Sequence, residues 1–159
     1  MKIDMMPITV RELYNGYQDN EELGVYAFSG KLCCRPPYQR EFIYDTNEQE
    51  AVIQTVRKGF PLNIMYFVDR KDSSYEVLDG QQRLTTMLLI HAVIRDLTSN
   101  VKRKKNCEEA IFQDADPDDG IPERLRLIFG IRGEVQKFIN TYVKASGGTL
   151  QKDKLIKIT

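Results

Sequence analysis

The chain has 159 residues, 42% of them apolar and 29% charged, which is the balance of an ordinary water-soluble domain with a real core. Lysine plus arginine equals aspartate plus glutamate, so formal net charge is zero and nothing in the total favours nucleic acid or a membrane surface. Three cysteines without CxxC spacing argue against a disulfide framework and against zinc.

Met1-Lys2-Ile3-Asp4 has no apolar signal core. No apolar run, Met87 to Ile90 included, is long enough to span a bilayer, and a cytoplasmic location is expected. Pro7 or Thr9 opens a first helix through Leu13 and Tyr14, ending near Gly16. Asp19, Glu21 and Glu22 read as a solvated loop. Val25 to Phe28 and Lys31 to Cys34 read as a strand and its return around Ser29-Gly30. Arg35-Pro36-Pro37-Tyr38-Gln39-Arg40 is stiffened by its prolines. Two readings stand: Tyr38 stacks on a base while Arg40 meets a phosphate, or the segment is a connector with Tyr38 in the core.

Thr46 and Gln49 form a capping-box pattern for a helix that carries Val52, Ile53 and Val56 inward. Gly59 and Pro61 mark its end. Leu62 to Val68 and Tyr75 to Leu78 predict a hairpin around the polar run Asp69 to Ser74. The hairpin delivers Asp79-Gly80-Gln81-Gln82-Arg83 to the start of a long helix, about Gln81 to Thr98. Along that helix Leu84, Met87, Leu88, His91 and Ile94 share the apolar face.

That strand-to-helix junction is the most specific chemistry in the chain. A helix start offers backbone N–H groups and the positive end of a dipole to an anion. Gly80 allows a sharp turn and close approach, and Arg83 brings a planar fork suited to phosphate. A second reading is a capping box between Asp79 and Gln82. It leaves Gly80 and Arg83 unexplained.

Lys102-Arg103-Lys104-Lys105 is a basic run, read either as a solvated loop or as a weak nucleic-acid contact. Cys107 to Phe112 and Leu125 to Phe129 read as strands. Asp114 to Gly120 imitates a calcium loop but has Asp119 where glycine belongs and Leu125 where glutamate belongs, so calcium is not expected. Glu134 to Tyr142 reads as a last helix with Val135, Phe138, Ile139 and Tyr142 inward, ended by Gly147-Gly148. The one histidine, His91, lies on an apolar face, and neither a triad nor an HExxH pattern is present.

Taken together, Pro37-Tyr38-Gln39-Arg40, the following helix, Gly59-Phe60-Pro61-Leu62, and Val77-Leu78-Asp79-Gly80-Gln81-Gln82-Arg83-Leu84-Thr85-Thr86 resemble the N-terminal domain of the GmrSD type of restriction protein. The resemblance implies an α/β (α+β) fold of the ParB/sulfiredoxin kind, a compact mixed sheet with flanking helices. It implies a nucleotide-binding domain over 1–147 and a tail, 148–159, that starts a missing C-terminal region.

By the same resemblance the chain binds and hydrolyses nucleoside triphosphate with Mg²⁺ in defence against modified phage DNA. Its partner is a C-terminal HNH-type nuclease domain or subunit, through which it meets DNA. No nuclease activity is expected from the chain alone. Asp79, Gln82 and Arg83 take the catalytic roles, with Asp79 also organising the metal. Tyr38, Gln39, Arg40, Gly80, Gln81 and Thr85 bind the nucleotide. A ParB-like, non-catalytic DNA-binding or regulatory module is the alternative. Sulfinic-acid reduction is not expected, because Gln81 and Gln82 stand where that chemistry needs a cysteine.

Overall fold

A computed structural model describes residues 3–5, 7–14, 19–20, 24–25, 32–33, 44–69, 75–118, 123–128 and 137–151. A four-stranded mixed sheet positions the junction. It is built from β3 (Leu32–Cys33), β4 (Tyr66–Asp69), β5 (Tyr75–Asp79) and β8 (Leu127–Ile128), in the order β4-β5-β3-β8. The predicted hairpin is present: β4 and β5 are antiparallel, with Phe67 opposite Val77. β3 runs parallel to both β5 and β8, with Leu32 opposite Tyr75 and Leu127. The carboxyl ends of three strands therefore share one edge of the sheet, where α/β proteins place their ligands.

Helix α3 (Gln81–Leu97) leaves that edge and is the spine of the core. Leu84, Leu88 and Ala92 are sealed along one stripe, against Val77 and Leu32 of the sheet and Ile111. Ile94, expected inward, is exposed; Arg95 occupies the buried place. His91 sits at the core edge, its Nδ1 2.7 Å from the Met87 carbonyl and its ring 5.2 Å from that of Tyr14. Burial lowers its pKa.

α1 (Val10–Tyr14) and α2 (Thr46–Arg57) fall where the sequence places helices. The cap of α2 lies one residue earlier than predicted. Asp45, not Thr46, is the N-cap: its carboxylate accepts from the Glu48 N–H at 2.9 Å, while Glu48 accepts from the Asp45 N–H at 2.9 Å. A carboxylate at a positive helix end binds more strongly than a hydroxyl, so it takes the position. At the other end Gly59 is left-handed (φ 69°), with Gly59 N–H donating to Val56 and Phe60 N–H to Thr55. This is the glycine stop that the sequence predicts. Of the three apolar residues assigned inward on α2, only Val52 is buried.

Several expectations fail. Val25 to Phe28 does not pair back with Lys31 to Cys34 among the described residues. Instead β1 (Asp19–Asn20), expected as loop, pairs antiparallel with β2 (Gly24–Val25), and β3 enters the parallel sheet. Cys107 to Phe112 is mostly helix: α4 (Val101–Ile111) buries Cys107, Ala110 and Ile111 at i, i+3, i+4, and only Phe112 belongs to a strand. β6 (Phe112–Gln113) pairs antiparallel with β7 (Arg124–Leu125). The predicted last helix is a π-helical segment, Ile139–Lys144, with Ile139 and Val143 buried and Phe138 and Tyr142 half-buried. Tyr26 to Phe28, Cys34, Phe129, Val135 and 152–159 lie outside the described residues. No helix among the described residues is long and apolar enough to cross a membrane.

Candidate functional site at the start of the long helix

Gly80 makes the junction possible. It has φ 105° and ψ 0°, a conformation that side chains rarely adopt, and it is the N-cap of α3. A Cβ built there would lie 2.8 Å from Met65 Cγ. The residue thus serves both the turn and the close approach of the neighbouring strand entry. The Asp79–Gln82 capping box does not form, because Asp79 ends β5 and Gly80 takes the cap position with no side chain to offer. The first turn of α3 carries no acidic residue. Its dipole is therefore not offset by a neighbouring carboxylate in that turn.

Arg83 is half-buried and fully directed. One terminal nitrogen donates to the carbonyls of Leu62 at 2.8 Å and Ile64 at 3.0 Å, and the other donates to Asp79 Oδ2 at 2.7 Å. The segment before β4 is thereby clasped to the helix start. Asn63 helps to shape that segment: it is left-handed (φ 72°), and its Oδ1 accepts from the Ile64 N–H at 2.8 Å. Three bonds occupy three of the five N–H donors of the guanidinium. Asp79 itself remains open, its side chain 62% exposed against 14% for Arg83.

The other motif residues divide by burial. Gln81 is buried, and its Nε2 donates to the Val77 carbonyl at 3.0 Å, tying helix to strand. Gln82 and Thr85 are half-buried in the first turns, where the Gln82 carbonyl accepts from Thr86 Oγ1 at 2.8 Å. Tyr38, Gln39 and Arg40 lie outside the described residues. β3, the strand that precedes them, ends at Cys33 beside Glu76, three positions before Asp79, on the same sheet edge.

Lys102 to Lys105 are not brought to this site. They lie in the first turns of α4, a helix rather than the predicted loop, capped by Asn100 Oδ1 on the Arg103 N–H at 2.9 Å. Lys102, Arg103 and Lys105 are exposed and Lys104 is half-buried. The 17 residues of α3 separate that run from Asp79 by about 25 Å along the helix.

Sequence reasoning missed Arg95 and Asp96. Arg95 is buried and donates to the carbonyls of Val143 at 2.7 Å, Lys144 at 3.0 Å and Ala145 at 2.7 Å. Its Nε lies 2.7 Å from Asp96 Oδ1. Asp96 also accepts from the N–H groups of Gly147 and Thr149 and from Thr149 Oγ1. Burial raises the Asp96 pKa, but these donors outweigh it and hold the carboxyl well below the usual range. A signal existed: Leu84, Leu88, Ala92 and Arg95 follow one helical stripe, and a cation on such a stripe implies buried acceptors.

Compared with known families, residues 10–157 match the model described as GmrSD restriction endonuclease, N-terminal domain. No curated protein and no solved structure matches the chain.

Proposed function

Since this chain belongs to the family of GmrSD restriction endonuclease N-terminal domains, and so has a restriction-system role, we propose that it binds and hydrolyses a nucleoside triphosphate with Mg²⁺. Through that reaction it regulates a DNA nuclease domain that acts on modified phage DNA. The observation that carries the reading is the turn at Gly80: a left-handed glycine opens a 17-residue helix at the carboxyl edge of parallel strands, with an arginine and an open carboxylate beside it.

The chain's own residues divide the work. The start of α3 receives phosphate oxygens on backbone N–H groups. Arg83, fixed by the Leu62 and Ile64 carbonyls, turns its remaining donors to the phosphates and to the charge that develops in phosphoryl transfer. Because those carbonyls fix it beforehand, little side-chain entropy is lost on binding. Gln82 orients the attacking water, and Thr85 backs the first turn. Tyr38, Gln39 and Arg40, which follow β3 in the sequence, complete the nucleotide-binding set on this reading.

The donor set fits a magnesium ion carried by the nucleotide rather than a resident one. Among the described residues no group of three or more His, Cys, Asp or Glu is placed to hold a metal. Asp79 supplies one exposed carboxylate, which suits an ion that keeps its waters and its phosphate ligands. Such an ion supplies charge neutralisation at the phosphates.

Phosphate release from nucleoside triphosphate tests the reading. Wild type is expected to turn over, and Asp79→Asn and Arg83→Ala to lose that activity while keeping a cooperative thermal transition. Equal trace release from all three overturns the enzyme reading.

A second reading has one observation in its favour, the exposed Lys102, Arg103 and Lys105 on α4. On that reading the chain is a ParB-like, non-catalytic module that meets DNA along α4. Salt-sensitive DNA binding that disappears when Lys102, Arg103, Lys104 and Lys105 are all changed to alanine supports it.

A further inference from the structure

Tyr66 is the cross-strand partner of Asp79. Residues directly opposite on antiparallel strands project from the same face, with Cβ atoms about 5 Å apart. The register shifts between Tyr66 and Phe67, which sets Tyr66 against Asp79 while Phe67 stays opposite Val77. Phe67 packs against the core and Tyr66 does not: it is 57% exposed. An exposed ring thus occupies the strand position paired with Asp79, whose carboxylate Arg83 holds at 2.7 Å. Two residues before it, the Ile64 carbonyl is fixed by the same arginine. The clasp that orders the phosphate turn therefore also orders the approach to this ring.

An aromatic face beside phosphate-binding groups matches the two halves of a nucleotide, a planar base and a charged chain. We propose that Tyr66 is the nucleobase-stacking residue of this site. The proposal rests on the Asp79–Arg83 turn being a nucleotide phosphate site. Stacking uses the π-face that every base has, so Tyr66 gives affinity for nucleotides over bare polyphosphate rather than a choice among bases. The hydroxyl is not required, and phenylalanine serves equally.

The test uses the full 159-residue chain with Mg²⁺, titrated with ATP, with GTP and with tripolyphosphate, which has no base. Tyr66→Ala is expected to weaken both nucleotides about tenfold and to leave tripolyphosphate unchanged. Tyr66→Phe keeps wild-type affinity, as does Val68→Ala, an exposed neighbour on the same strand. If wild type binds all three ligands and Tyr66→Ala leaves the nucleotides within about twofold, the stacking role is overturned while the phosphate site stands. Equal weakening of nucleotides and tripolyphosphate also overturns it, because Tyr66 then shapes the turn. If wild type binds neither nucleotide nor tripolyphosphate, the phosphate site itself falls and this proposal with it.

Discussion

Helix α3 carries an arginine–aspartate pair at each end, and both pairs close to 2.7 Å. Both arginines also bind main-chain carbonyls of a distant segment. The difference lies in the carboxylate. Asp96 is wrapped by Arg95, Gly147 and Thr149 and sealed from water. Asp79 accepts from Arg83 among the described residues and faces solvent. Ion-pair distance therefore says little about role. A carboxylate whose acceptor sites are all met is a structural fastener, whereas one with sites still open to solvent is available to a ligand.

The most severe way to probe this contrast is Arg95→Met. It leaves Asp96 buried with its countercharge gone and three carbonyls without their donor, so a loss of about 3–5 kcal/mol is expected in urea denaturation. Arg83→Met, at the open end, is expected to cost about 1 kcal/mol. Equal losses at both ends would erase the distinction. Next in size is Gly80→Ala, which meets both the left-handed backbone and Met65; about 1–3 kcal/mol is expected. A smaller loss would mean that Met65 gives way freely.

Acid sharpens the comparison further. The folded pKa of Asp96 lies below its unfolded value, so its contribution is complete above about pH 4 and fades as pH falls from there toward the folded pKa. Asp96→Asn should be less stable than wild type at neutral pH, with a flatter acid limb in urea midpoints taken from pH 5 downward. The smallest expected stability effect is that of Asp79→Asn at neutral pH, under about 1 kcal/mol, even though phosphate release is lost.

The hairpin, the glycine turn and α3 were legible in the sequence because each has a local cause. Alternating β-formers bound by a polar run give the hairpin, Gly80 supplies the positive φ, and helical spacing of Leu84 and Leu88 supplies the stripe. α4 was hidden by its composition. Four consecutive basic residues at a helix start oppose the dipole, and Asn100 offsets this through its cap. The parallel pairing of Leu32 with Tyr75 and Leu127 has no local signal, since its partners come from distant parts of the chain. At the site, the residue types on Asp79 to Arg83 were readable. The clasp on Leu62 and Ile64 was not, because main-chain acceptors leave no mark in side-chain chemistry.

The fastener at Arg95 and Asp96 gives α3 one anchored foot. Residues 143–149 are bolted to the end of the helix remote from Gly80, so a load on that segment is carried by the helix. Force applied there reaches the glycine turn as a tilt of an unbroken rod, and a tightening of the turn is felt at the foot in the same way.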